Sequence, residues 1–349
     1  MGTDRLGPMV TMLLILSALG CTTETSWLRK GYVARIQRAD SSISSDRETA
    51  YQNTVQVRWL GTAGFHISLG DEQVLLDPFF SQQSLLGSVF TKLEVRDDVT
   101  EKRIGDVSEV DGILVGHAHW DHLLDVPDVA IHHAKKAISY GSLTTFNLLR
   151  ALDVPHDRVK RASREVWLTI PNTNIRFKAY RSKHSPHVDR IIHLYQGKVK
   201  TLPKEPPTWA SDFKEGRTLT YVIQFMDESG ENSKFTIFYA DSASGGMRGL
   251  PDLDETGDID LAILTVAAWK NVDDYVETKL KCLKPKHVIL THYDDFFMEP
   301  EEEMEFLTMA YMTDFLKEIQ ETAREANLPT VFWIPARGSQ INFPLATRD

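Results

Sequence analysis

An apolar run, Gly112-Ile113-Leu114-Val115-Gly116, leads directly into His117-Ala118-His119-Trp120-Asp121-His122. This stretch constrains the chain more than any other. The apolar run reads as a short buried strand ending in a glycine turn. His117 and His119 alternate, so on extended backbone they project to the same side. Asp121 and His122 follow once the chain starts to turn, and can face a second point a few ångströms away. Neutral imidazole nitrogen and carboxylate oxygen are the donors that suit zinc or manganese at a catalytic centre. A histidine-rich surface loop is the plain alternative, but the other histidines are scattered, and this group sits at a strand end, where loops carry chemistry. One short loop can therefore begin two neighbouring metal sites.

The pattern His-x-His-x-Asp-His is the signature loop of the metallo-β-lactamase superfamily, and the chain resembles that superfamily over residues 54–344. The resemblance implies further elements in a fixed order, and each has a candidate. After a hairpin through Trp59–Ile67, the run Gln73–Pro78 closes a strand with Asp77. Asp77 is implied to support the metal loop from behind the ligands, orienting them and tuning their basicity. The run Phe177–Ser185 ends in His184-Ser185, so His184 would complete the first site, with His187 as its competitor. Phe235–Ser242 places Asp241 after an apolar strand, as the carboxylate that would bridge both metals. Lys286–Tyr293 supplies His292 as the last ligand. The opening Trp59-Leu60-Gly61-Thr62-Ala63-Gly64-Phe65 and the run Pro285–Val288 are similar to one branch of the superfamily. That branch holds ascorbate-phosphate lactonase-like proteins and the phospholipase D that releases N-acylethanolamines. Residues 185–217 depart from it as an extra, proline-containing segment.

The resemblance also narrows the chemistry. His119 stands where oxygen-reducing diiron relatives carry Glu, which implies zinc-type hydrolysis. His122 and a bridging Asp241 set the chain apart from the true β-lactamases of this fold. Two metals that share a carboxylate lie about 3.5–4 Å apart and hold a hydroxide, because binding lowers the pKa of water from 15.7 to about 7. The expected reaction is attack of that hydroxide on phosphorus or a carbonyl, with Asp121 and Asp241 as the catalytic carboxylates. The cofactor expected is a pair of divalent ions, zinc first and manganese second. His187, His193 and Tyr293 are candidates to protonate a leaving group, each with a purely structural role as the commoner alternative. Asp294 and Asp295 read as solvated loop acids or as partners standing behind the ligands.

The first residues are of another kind. Met9–Leu19 is apolar, too short to span a bilayer, preceded by Arg5 and followed by Gly20-Cys21. Gly20-Cys21 resembles a bacterial lipoprotein box. Residues 1–20 would then be a signal peptide, Cys21 a lipidated membrane anchor, and the protein a periplasm-facing membrane lipoprotein. An ordinary cleaved signal and a buried N-terminal helix are the alternatives. Residues 21–53 are polar and read as a tether, and 54–345 as the hydrolase domain.

With 42% hydrophobic and 25% charged residues, the chain suits a substantial folded core. Strand-like runs at 54–59, 63–69, 73–77, 111–116, 174–180, 218–225, 234–240, 259–265, 286–291 and 330–334 alternate with helical stretches near 142–152, 271–283 and 300–325. Glu301, Glu302 and Glu303 suit the first turn of the last helix. This order predicts an α/β protein, an αββα sandwich of two mixed sheets flanked by helices. With Cys21 lipidated, Cys282 has no disulfide partner and reads as a small packed helix residue. A net charge of −10 argues against nucleic acid as a partner. Arg190, Lys198, Lys200 and Lys204 form a local basic run, either a solvated loop or a seat for an anionic head group. Leu85, Leu86, Val89 and Phe90 either line an apolar mouth or belong to the core. The leading function is a dinuclear metallohydrolase acting on a phosphodiester, with a phospholipid among the candidate substrates. Lactone or carboxylic-ester hydrolysis is the runner-up, and a non-catalytic metal-binding lipoprotein module the reading from another class.

Overall fold

The structure is a computed structural model that describes residues 36–39, 53–162, 165–187, 193–299 and 302–345. Two sheets carry the chain. The first has seven strands in the order β15 (Gln340–Pro344), β2 (Thr54–Gly61), β3 (Gly64–Leu69), β4 (Glu72–Leu76), β5 (Gly112–Leu114), β6 (Ile138–Gly141) and β7 (Val159–Arg161). The second has eight, in the order β1 (Ile36–Ala39), β14 (Val331–Pro335), β13 (His287–Thr291), β12 (Leu261–Thr265), β11 (Ser233–Ala240), β10 (Leu219–Met226), β9 (Ile175–Arg181) and β8 (Trp167–Thr169).

Burial follows the sequence pattern. Val55, Val57 and Trp59 point inward along β2, while Thr54, Gln56 and Arg58 stay half-exposed. β10 and β12 are buried throughout, as strands covered on both faces must be. The sheets meet face to face: Phe65 of β3 packs edge-on against Tyr239 of β11 at 6.5 Å, and Tyr140 of β6 against Phe177 of β9 at 4.8 Å. Helices Leu143–Ala151, Tyr275–Leu283 and Met312–Glu325 fall where helical stretches were expected. The last buries Met312, Phe315, Leu316, Ile319 and Ala323, an apolar stripe at helical spacing. The architecture is the expected αββα sandwich.

Two boundaries need correction. The helix expected from 300 begins at Met312. Before it, the chain pairs with residues 293–295 instead: Asp295 N–H donates to the Glu305 carbonyl and Leu307 N–H to that of Tyr293, both at 2.8 Å. Phe306 packs on Tyr293 at 5.7 Å, so tertiary contacts override the helical tendency of the acidic run. Glu301 lies outside the described residues. The segment read as tether contains β1, which pairs in parallel with β14 from Ile36↔Phe332 to Ala39↔Pro335. The predicted signal peptide, Cys21, the rest of the tether as far as residue 52 and Arg190 lie outside the described residues. Among the described residues, no helix is long and apolar enough to cross a membrane.

The Trp59–Phe65 motif now has a physical reason. The Thr62 carbonyl accepts from His292 N–H at 2.8 Å, Thr291 Oγ1 at 2.6 Å and Trp59 Nε1 at 3.1 Å. Its own N–H donates to both oxygens of Asp294 at 3.0 Å, and Arg337 Nη2 donates to Asp294 at 3.1 Å. Asp294 is fully buried, so of the two readings for this acid the solvated loop is set aside. The turn, at Gly61 (φ 114°) and Thr62 (φ 48°), thus clamps the end of β13 to the start of β3. Asp294→Ala leaves Arg337 half of a broken ion pair, and it should destabilise the fold by about 3–5 kcal/mol. The urea-denaturation midpoint measures this; an unchanged midpoint would contradict the clamp.

Candidate metal centre

Five strand ends converge on one edge of the sandwich. Asp77 follows β4, His117 comes after β5, His184 after β9, Asp241 directly after β11, and His292 directly after β13. His119 has extended backbone (φ −66°, ψ 157°) and precedes a single helical turn, Trp120–Leu123. The change from extended to helical backbone sends His117 and His119 one way and Asp121 and His122 another, as the spacing implied.

All seven expected ligands come together. The donor atoms of His117, His119 and His184 lie within 4.8 Å of one another, as do those of Asp121, His122 and His292. A third group, His117, His122 and Asp241, takes one histidine from each of these sets. Asp241 Oδ2 lies 2.6 Å from His117 Nδ1 and 3.7 Å from His122 Nδ1. Asp121 Oδ2 lies 3.4 Å from His122 Nε2 and 3.3 Å from His292 Nε2. His187 belongs to none of these groups. It stacks on His184 at 4.7 Å, and its Nδ1 accepts the Leu194 N–H at 3.1 Å. The donor geometry therefore favours His184 over His187.

Asp77 lies behind the ligand cluster, in contact with one of its histidines. Its Oδ1 accepts the Gly116 N–H at 2.8 Å; its Oδ2 lies 3.0 Å from His122 Nδ1 and accepts the Tyr239 hydroxyl at 2.6 Å. Gly116 is required for a different reason: a Cβ there would fall 2.0 Å from Asp241 Oδ2. Asp77 (φ 35°) and His292 (φ 56°) both hold left-handed backbone, a conformation costing about 1–3 kcal/mol that functional sites tend to retain.

Burial and charge set the protonation states. Desolvation, then the charge of neighbouring imidazoles, holds His117, His119 and His184 neutral well below their ordinary range. Burial would do the same to His122, but Asp121 and Asp77 outweigh it and raise its pKa well above the ordinary value. Burial pushes the Asp121 carboxyl up, yet His122 and His292 bring it well below the usual carboxylate range. Asp241 is pushed up to about 6 by burial.

Other expectations fare differently. Tyr293 is buried against Trp59, and its hydroxyl donates to the Pro335 carbonyl, so it is committed to the fold and not available as an acid. Burial lowers His187 to about 4, so at neutral pH it is uncharged. His193 is half-buried, close enough for its charge to act on His187 and Glu215. Asp295 accepts the Phe297 N–H at 2.9 Å. Cys282 is half-buried on its helix. Leu85–Phe90 form a short helix with Leu86 56% and Phe90 43% exposed, so those two are not core.

Sequence reasoning missed Asp125. It is fully buried, raised to about 6 by desolvation, and accepts the N–H groups of Phe80 and Ser81 at 2.6 and 2.8 Å. It ties the chain after Asp77 to the chain after His122. Its only signal was its place four residues past Asp121, too weak to separate it from a surface acid. It also missed the Glu215 carbonyl, which accepts the Ala118 N–H at 3.0 Å and braces the metal loop.

Does the donor set suit a metal? His119 Nε2, His292 Nδ1 and Asp241 Oδ1 are buried without a hydrogen-bond partner among the described residues. Leaving such groups unpaired costs about 1–3 kcal/mol each, and a divalent ion satisfies donors of this kind. The residues therefore fit the group. Gly116→Ala should force the Asp241 carboxylate aside and lower metal affinity by about tenfold or more, as measured by competition with a chromogenic chelator. Unaltered affinity would contradict the close approach.

Comparison with known proteins agrees with this fold. The profile of the Beta-lactamase superfamily domain matches residues 72–313. A UPF0173 metal-dependent hydrolase of Polynucleobacter asymbioticus is 24% identical over 246 residues, 70% of this chain and 75% of its own. Another from Polaromonas sp. is 30% identical over 132 residues, 37% of this chain and 43% of its own length. A metallo hydrolase of Ignicoccus hospitalis superposes with a TM-score of 0.53 at 14% identity, covering 84% of this chain and 100% of that one. An isothiocyanate hydrolase from Delia radicum gut bacteria does so with 0.51 at 16%, covering 83% and 99%. These structures share the fold. The family profile spans well over half of the chain, and the chain belongs to the metallo-β-lactamase superfamily.

Proposed function

We propose that the chain is a dinuclear metal-dependent hydrolase of phosphodiesters. The observation that carries this reading is the third donor group, in which Asp241 stands with one histidine from each of the other two sets. His117, His119 and His184 would hold one ion, Asp121, His122 and His292 the other, with Asp241 between them. When bound, such ions supply Lewis acidity and lower the pKa of water from 15.7 to about 7. The relatives' printed name, metal-dependent hydrolase, supports hydrolysis as the reaction class.

The chain's own residues set the stage for that chemistry. Asp77 fixes the ring of His122 through Nδ1, which leaves Nε2 facing Asp121 and the site. Asp121, held ionised by its two histidines, orients a water's proton. His187 accepts at Nδ1, so as a neutral ring it presents Nε2–H, a donor suited to a substrate oxygen. No Ser or Cys nucleophile is required. The resemblance to the phospholipase-containing branch and the exposed Leu86 and Phe90 favour a phosphodiester with an apolar part. Anchoring through Cys21 at a membrane surface belongs to the same proposal and rests on the sequence.

The protein reloaded with zinc or manganese should hydrolyse bis(4-nitrophenyl) phosphate, and Asp241→Ala should lower turnover by about a hundredfold or more. Hydrolysis confined to lactones or carboxylic esters would replace the substrate class; tight metal binding without any hydrolysis would favour a non-catalytic binding module.

Acid should also strip the centre, because protons compete with metal for ligands. Asp241, which stands with one histidine of each donor set, takes a proton at about 6. Metal content after dialysis should therefore fall as pH drops from neutral through about 6. Metal content that stays unchanged across that range would contradict the place given to Asp241.

A further inference from the structure

Residues 193–217 are not loosely attached. Glu215 N–H donates to the Tyr195 carbonyl at 3.0 Å, and the Glu215 carbonyl braces Ala118 of the metal loop. On the far side, the Asn147 amide donates to the Val199 carbonyl at 2.9 Å, and Val199 N–H to Thr144 Oγ1 at 3.1 Å. Leu93 N–H closes the arrangement on the Thr208 carbonyl at 2.8 Å. The extra segment is thereby held to the helix Leu143–Ala151 and to the chain before Asp97.

Within this frame lies an open cleft of about 770 Å³, inside the range of about 300–1,000 Å³ usual for small-molecule sites. Its lining divides in two. Leu148 and Trp209 give an apolar wall, while Lys92, Lys198 and Lys214 bring three ammonium groups. None of these lysines has an ion-pair partner among the described residues. Glu205 and Asp212 also line the cleft, so three ammonium groups face two carboxylates; Asp212 Oδ2 is engaged by the N–H groups of Thr208 and Trp209 at 3.1 and 3.0 Å, and Lys198 also feels the charge of Glu215. Tyr195 belongs to both places: it lines the cleft, and its ring lies edge-on to His119 with centroids 6.4 Å apart. Tyr195 therefore stands between the cleft and His119 of the metal centre.

We propose that this cleft is the recognition subsite of the metal centre, and that it takes an organic phosphate with an apolar or aromatic body. The phosphate sits among Lys92, Lys198 and Lys214, where lysine acts as a point charge for phosphate. The body lies against Trp209 and Leu148, and the bond to be cleaved extends past Tyr195 to His119. Assigning the bound group to the substrate rests on the hydrolase reading above; the binding itself does not.

Calorimetric titration with phenyl phosphate tests it, on the metal-loaded protein and again after chelation. Binding should persist after chelation, and Lys198→Ala/Lys214→Ala, of which Lys198 is exposed and Lys214 half-buried, should weaken it about tenfold without changing metal content. Inorganic phosphate, which lacks the body, should bind more weakly. Loss of binding on chelation, equal affinity in the double variant, or equal binding of inorganic phosphate would each overturn the subsite. Failure of the hydrolase reading shows separately, as retained phenyl phosphate binding in a metal-loaded protein that turns nothing over.

Discussion

The Asp77 carboxylate is the point at which the two sheets and the metal loop are joined. It leaves the end of β4 in left-handed backbone, takes the Gly116 N–H beyond β5, receives the Tyr239 hydroxyl from β11 in the opposite sheet, and faces His122. A fully buried carboxylate is costly unless its oxygens are occupied, and these partners occupy them. The consequence is geometric. The His117–His122 loop begins where Gly116 is pinned, and His122 can turn only the way Asp77 allows.

Around that point the site is built from groups that would be unfavourable alone. Five histidines and two acids sit in one cluster, all buried except the half-buried His184, so they respond to one another's charge. Burial keeps one set of imidazoles neutral and ready to donate, while paired carboxylates keep His122 protonated without a metal. The orphaned atoms on His119, His292 and Asp241 mark where this compensation stops within the protein. A bound metal ion would complete it, which would tie metal binding to the stability of the centre itself.

Much of this was legible in the sequence because ligands of this kind must sit at strand ends, and strand ends have a visible signature. Apolar runs ending in Asp77, Asp241 or His292 announced β4, β11 and β13, and the alternation of His117 and His119 announced shared direction. Short or weakly patterned strands were not legible: Ile138–Gly141, Val159–Arg161, Trp167–Thr169 and Gln340–Pro344 are held by neighbours more than by their own residues. The same limit explains the late start of helix Met312–Glu325, where Phe306 and Leu307 are drawn away to pair near Tyr293. Tyr293 itself misled because proximity in sequence to His292 says nothing of side-chain direction. The preference for His184 over His187 rested in the sequence on the His184-Ser185 ending, and the fold adds that His184 joins His117 and His119 in one donor group.

The most direct test of the proposed dinuclear centre is anomalous diffraction at the zinc edge from crystals of the zinc-loaded protein. Two peaks are predicted, one among His117, His119 and His184 and one among Asp121, His122 and His292, with Asp241 touching both. A single peak, or zinc bound away from these residues, would contradict the account.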